Sequence, residues 1–392
     1  MERLLLVLAI IFIAGRLLGE IAERLGQPAV IGEIIAGVIV GPALLDWVPS
    51  ESEPVEILAE LGAIFLLFMV GLEASLYELR KTGGRSASAA VGGIVLPFAL
   101  GGGLMRLLGY SGPEALFVGT ALVATSVAVT ARVLRDRGKL KSREAQIILG
   151  AAVIDDVLAL LILGVVAGTT KDSFSPISMF FLAVEAVAFL VVLGWLGPKA
   201  LGRALPRLRK MRLTEPLQAV AIAILLLLAA AATRVGLAAI IGAFLAGLIL
   251  SQAGKEHELE EKIQPIVSFL SPFFFVHVGT LVNFEALISP RGAALVAGLT
   301  VVAVAGKLLG SGLPALPLGR NPALIIGLGM VPRGEVGVIV ASLGLSLGVI
   351  EEQLYAVVVA MAVLTTLLSP GLLSWALREP TSRKEAGNQD AT

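Results

Sequence analysis

The sequence predicts an all-α polytopic membrane protein of about thirteen transmembrane helices. Apolar residues make up 57% of its 392 residues and charged residues only 15%, with a mean hydropathy of +0.92, which lies outside the range of water-soluble globular chains. The apolar residues also fall into stretches of about 20, the length that crosses a hydrocarbon layer of ~30 Å. A third observation concerns the content of those stretches. Two adjacent acids, Asp155 and Asp156, sit inside the apolar run Ala151–Leu161. A carboxylate at bilayer depth costs roughly 2.5–3.5 kcal/mol on insertion scales, so it persists only where it pairs, titrates or holds an ion.

In chain order, the first span, 4–24, is amphipathic through Arg16 and Glu20. No small-residue cleavage site with a polar stretch follows its Leu4–Ala14 run, so it reads as a helix and not a signal peptide. Spans at 28–47, 54–79, 87–108 and 114–134 follow, the last with Thr125, Ser126 and Thr130 inside it. The sixth, 144–167, carries the acid pair. The seventh, 177–198, leads into a loop with Lys199, Arg203, Arg207, Arg209, Lys210 and Arg212, read as a topology signal and lipid-headgroup contact. Spans 215–233 and 236–251 almost touch at Arg234. Those at 262–282, 292–317, 321–347 and 353–377 complete the set.

Basic residues follow the third, fifth, seventh and last spans, all on one side, which places the N-terminus outside and the C-terminus in the cytoplasm. Six spans, a linker span and six more enter the membrane from opposite sides, the parity of an inverted repeat. After Leu377 only about 15 residues remain, too few for a soluble nucleotide-binding domain. Cysteine is absent and histidine occurs twice, which excludes disulfides and thiolate chemistry and argues against a histidine-rich metal site. The net charge of zero carries no information about partners.

Three further features stand near the acids. Thr125 and Ser126 either line a site or bond back to their own helix. Met330-Val331-Pro332-Arg333-Gly334-Glu335 puts a helix breaker, two opposite charges and a glycine in mid-span. Proline lacks the N–H and clashes with the preceding turn, so the helix breaks there, and irregular backbone at that depth must be buried in protein or line a cavity. Arg333 and Glu335 are expected to form structural ion pairs, with each other or with the sixth span. Lys307, alone in an apolar run, needs a carboxylate partner, and the acid pair is the natural one. Consecutive helical positions point about 100° apart, so one acid can meet the lysine while the other faces a cavity. An intramembrane aspartyl protease needs its two acids on different helices facing one water, which adjacent acids do not provide.

These residues resemble the bacterial sodium/proton antiporters of the cation:proton antiporter-2 family, the NapA type in particular. The resemblance rests on Gln27–Glu33, Phe65–Glu73, Ala121–Ser126, Ile154–Val157, Gly306-Lys307 and Pro332–Gly337. It implies an NhaA-like antiporter fold with two crossed broken helices, and a core domain (86–168 and 290–377) that moves against a dimerisation domain (1–85 and 214–289). Residues 169–213 would be the linker helix and basic loop, and 378–392 a cytoplasmic tail. By the resemblance, Asp156 is the principal sodium- and proton-binding carboxylate, Asp155 its neighbour paired with Lys307, and Thr125 and Ser126 the unwound part of the first broken helix. The transported sodium or lithium ion would be bound by Asp156 and Asp155. A homodimer in the cytoplasmic membrane of a prokaryote, surrounded by lipid, is implied, with no cofactor, no nucleic acid and no enzymatic activity.

Exchange follows if the core changes its exposure only when sodium or protons neutralise the site. If sodium binding also releases the lysine's proton, two protons exchange for one sodium. A potassium/proton antiporter of the same superfamily and a sodium-coupled organic-anion carrier are the alternatives. The potassium-efflux branch resembles a Gln-Asp pair with a nucleotide-binding domain, and the carrier would want more cationic residues than Lys307 and Arg333. His277 departs from the family's apolar pattern, as a pH sensor or a tolerated polar substitution. Glu33, Glu60, Glu73 and Glu185 are expected at the membrane interface, and His257 in a solvated turn.

Overall fold

A computed structural model describes residues 1–49, 52–170, 176–208, 216–251, 256–282 and 289–378. Among them are fifteen α-helices and no strand: α1 (Glu2–Arg24), α2 (Ala29–Val40), α3 (Glu53–Glu73), α4 (Leu76–Leu107), α5 (Gly112–Ala121), α6 (Val127–Asp136), α7 (Arg143–Thr170), α8 (Pro176–Leu208), α9 (Pro216–Arg234), α10 (Ala239–Ser251), α11 (Glu256–Thr280), α12 (Pro290–Gly312), α13 (Arg320–Gly329), α14 (Glu335–Ser346) and α15 (Glu352–Ala376). A 3-10 turn, Leu313–Leu318, extends α12. Counting α5/α6 and α13/α14 each as one interrupted span gives thirteen segments. Nine of the described helices are long and apolar enough to cross a membrane unbroken.

Local chemistry sets several boundaries differently from hydropathy. The third span ends at Glu73, not 79, because Ala74 and Ser75 are extended and the Ser75 hydroxyl accepts from the Glu78 amide to start α4. Arg80, Lys81 and Arg85 therefore ride on the opening turns of α4 and not in a loop. The second span stops at Val40, where the chain folds back as the Trp47 and Val48 amides donate to the Val40 carbonyl. At the join near Arg234, Gly236 takes φ +80°, a left-handed conformation that ends α9 cleanly before α10.

The helices pack in two groups. One comprises α1, α2, α3, α9, α10 and α11; the other α4, α5, α6, α7, α12, α13, α14 and α15; α8 lies against α7 and α10. The expected boundary between residues 85 and 86 falls inside α4, which packs with the second group from its start. Each group is drawn together by small residues, which allow helix axes to approach where lipid supplies no hydrophobic drive. A Cβ on Gly37 of α2 would lie 1.9 Å from the Val276 carbonyl oxygen of α11. A Cβ on Gly92 of α4 would lie 2.1 Å from the Gly310 carbonyl oxygen of α12. Between the groups, α6 reaches α2 and α3, and α15 reaches α2.

Candidate ion-binding site

The two interrupted spans meet at their interruptions. α5 stops at Ala121 and α6 starts at Val127; α13 stops at Gly329 and α14 starts at Glu335. The Ser126 amide donates to the Pro332 carbonyl at 2.8 Å, and the Thr125 hydroxyl lies 3.4 Å from the Met330 carbonyl. Beside them the Thr130 hydroxyl donates to the Gly329 carbonyl at 2.7 Å. α5 packs along α14, and the Thr130 bond ties α6 to α13. The two spans thus run in opposite directions and cross at the breaks. Four helix ends converge there, two presenting N-terminal amides and the other two C-terminal carbonyls.

Arg333 serves those carbonyls. Its guanidinium, fully buried, donates to the Ala124 carbonyl at 2.8 Å and reaches the Val123 and Ala303 carbonyls at 3.4 Å. Arg333 thus caps the carbonyls that the first break leaves beyond the end of α5. The reason is geometric: a planar fork of donors fits several carbonyls at once. The Glu335 side chain lies outside the described residues, and its backbone opens α14. The Arg333 carbonyl in turn accepts from the Thr366 hydroxyl of α15.

Beside the crossing, α7 presents the acid pair. Lys307 Nζ on α12 lies 2.9 and 3.1 Å from the two Asp155 carboxylate oxygens, and the Thr125 hydroxyl donates to the same carboxylate at 2.5 Å. Asp155 and Lys307 are both wholly buried. Asp156, one position on and 6% exposed, turns to a small pocket lined by Leu67, Val127, Val153, Ile240 and Phe244, at the seam between the two helix groups. Ser126, also buried, stands at the break and touches Gly334, where an added Cβ would lie 2.7 Å from its side chain.

A cavity of about 440 Å³ opens between the groups and reaches the second break at Arg333 and Gly334. Glu56 and Glu60 of α3, His277 of α11 and Ser342 of α14 line it. Ile240 borders both this cavity and the Asp156 pocket, and so stands between them. His277 is half-buried on the cavity wall, and His257 lies outside the described side chains.

A family model described as "Sodium/hydrogen exchanger, transmembrane" matches residues 7–379. The chain belongs to the sodium/hydrogen exchanger family. It is 37% identical over 372 residues to the Na(+)/H(+)-K(+) antiporter GerN of Bacillus cereus, covering 94% of this chain and 95% of that one. It is 36% identical over 427 residues to the high-affinity Na(+)/H(+) antiporter NhaS3 of Synechocystis, covering 97% and 91%. The fold is similar to that of the sodium proton antiporter MjNhaP1 of Methanocaldococcus jannaschii, with a TM-score of 0.67 at 20% identity, over 95% of this chain and 97% of that one.

Within this family member, two acids expected at the interface are elsewhere. Glu33 is 1% exposed, sealed between α1 and α2 and faced by Arg132 of α6 and Arg16 of α1. Glu73 is half-buried and paired with Arg135 of α6 at 2.5 Å. Both acids found cationic partners on α6, which the hydropathy of their own spans does not reveal. Glu60 and Glu185 are exposed, Glu60 on the wall of the cavity. Thr366 was not foreseen at all. A hydroxyl pair, Thr365-Thr366, in an otherwise apolar helix was the available signal.

Proposed function

We propose that this membrane protein exchanges sodium or lithium for protons by alternating access, with Asp156 and Asp155 as the carboxylates that bind the ion and the protons in turn. The observation that carries the reading is the wholly buried Asp155–Lys307 pair, with Asp156 beside it at the seam where two broken helices cross. A monovalent hard cation takes oxygen ligands. Asp156, Asp155, the Thr125 and Ser126 hydroxyls and the carbonyls freed at the breaks can supply them. Lys307 holds Asp155 while no ion is bound. When sodium arrives, Asp155 turns to the ion, Lys307 gives up its proton, and Asp156 gives up another.

On this reading two protons leave for each sodium, and one net charge crosses per cycle. A membrane potential then contributes about 2.3 kcal/mol per 100 mV. The second group of helices is the moving core and the first the scaffold that forms the homodimer. With the N-terminus outside, in the cytoplasmic membrane of a prokaryote, the cavity at Glu56 and Glu60 faces the exterior. Potassium in place of sodium is the second reading, because GerN carries potassium in its name and is similar over nearly the whole chain.

The test is collapse of a pH gradient in proteoliposomes on adding sodium, lithium or potassium, with wild type beside Asp156→Asn. Sodium- or lithium-driven proton movement that Asp156→Asn abolishes is expected. Movement with potassium alone selects the second reading, and no movement with any of the three overturns both. Rates that stay equal at zero and at strongly negative membrane potential refute the two-to-one stoichiometry.

A further inference from the structure

We propose that the end of α6 remote from the cavity is a charged latch. Through Arg132 and Arg135 it locks the site-bearing helices onto the scaffold in the conformation seen here. This rests on the proposed movement of one group against the other. Arg135 pairs with Glu73 of α3 at 2.5 Å and also donates to the Gln264 side chain of α11. Arg132 donates to the Ser271 hydroxyl of α11 at 3.0 Å, is held by Asp136 one turn along at 2.9 Å, and faces the buried Glu33 of α2. Among the described residues one Glu33 carboxylate oxygen accepts no hydrogen bond. Arg132 across the seam and Arg16 from its own side are the cations whose charge acts on it.

The latch and the cavity lie at opposite ends of the same two helices. On α3, Glu56 lines the cavity and Glu73 the latch, about 25 Å apart at ~1.5 Å per residue. On α11, His277 lines the cavity and Gln264 the latch, about 20 Å apart by the same rise. The seam is therefore open at one end and pinned by charge at the other. For the site to face the other way, α6 must leave Glu73, Gln264, Ser271 and Glu33, and the latch contacts set how often it does so.

The chain contains no cysteine, so single reporters can be placed in it directly. Ser342→Cys reports on the cavity and Val133→Cys, fully buried on α6, on the latch face. Each is labelled with a membrane-impermeant maleimide in vesicles of matching orientation. Glu73→Gln and Arg132→Gln are expected to slow labelling at the cavity reporter and speed it at the latch reporter by about fivefold each, the factor of one part-buried hydrogen bond. The exchanged pair Glu73→Arg with Arg135→Glu should return both rates toward wild type. Rates within twofold of wild type at both reporters overturn the latch. So does a rise at both together that the exchanged pair does not reverse, since that marks a loosened fold. Sodium-driven proton movement, measured in the same vesicles without maleimide, reports on the exchange reading separately.

Discussion

Lys307→Met removes a charge while keeping most of the side-chain volume, and it isolates the contribution of the buried pair. At 2.9 Å two unit charges attract by about 6 kcal/mol for an effective dielectric of ~20. Desolvation of both groups offsets much of that, and the net cost of removing one partner of a buried pair is about 3–5 kcal/mol. Asp155→Asn, made alone, should cost a similar amount by leaving the ammonium with only neutral acceptors. The double variant should cost far less than the sum, because neither charge is stranded and the introduced amide still meets the Thr125 hydroxyl. The assay is thermal unfolding in detergent followed by tryptophan fluorescence at matched sodium and pH. The expected coupling is about 3 kcal/mol or more, judged against the ~0.5 kcal/mol within which independent sites add. Additive losses, or single variants each within ~1 kcal/mol of wild type, would refute the claim that the pair holds the empty site together.

Three other outcomes follow from the geometry. Arg333→Lys should lower thermal stability by about 2 kcal/mol or more, since a single ammonium cannot replace donors aimed at the Val123, Ala124 and Ala303 carbonyls; unchanged melting would remove its role as a cap. Thr366→Val should cost about 1 kcal/mol and slow exchange by loosening the second break, whereas Thr365→Val, whose hydroxyl donates to the Ala362 carbonyl of its own helix, should leave exchange rates within twofold. Ile240→Ala should speed carbodiimide modification of Asp156 from the cavity side, because Ile240 stands between the two spaces; an unchanged rate would mean that the carboxylate is reached by another route.

How much of this was legible beforehand depended on whether a feature's cause was local. The acid pair, Lys307 and the break at Pro332 announced themselves, since each is chemically out of place in its own apolar span. The first break did not, because Leu122–Ser126 contains neither proline nor glycine. Residue types alone would have carried the helix through it, and only the family resemblance marked the segment as unwound. The segment is open because the partners of its backbone come from the second break: Pro332 accepts from the Ser126 amide and Arg333 donates to the Ala124 carbonyl. The burial of Glu33 and the pairing of Glu73 were hidden for the same reason, their cationic partners lying on α6, some 60–100 residues along the chain. Helix ends set by a single hydroxyl, as at Ser75, were readable in principle but were masked by the apolar run that precedes them.

The dependence of one break on the other bears on how the protein is made. Val123 and its partner Arg333 are separated by 210 positions, about 10–40 s of synthesis at typical rates of 5–20 residues per second. During that interval α5 and α6 are already in the membrane and Arg333 has not yet been added. Those residues must either stay near water or continue as one unbroken helix until the second crossing segment arrives. Completion of the site is on this account a late event in biogenesis. Before it, the nascent chain would hold its acid pair in lipid without the lysine that neutralises it.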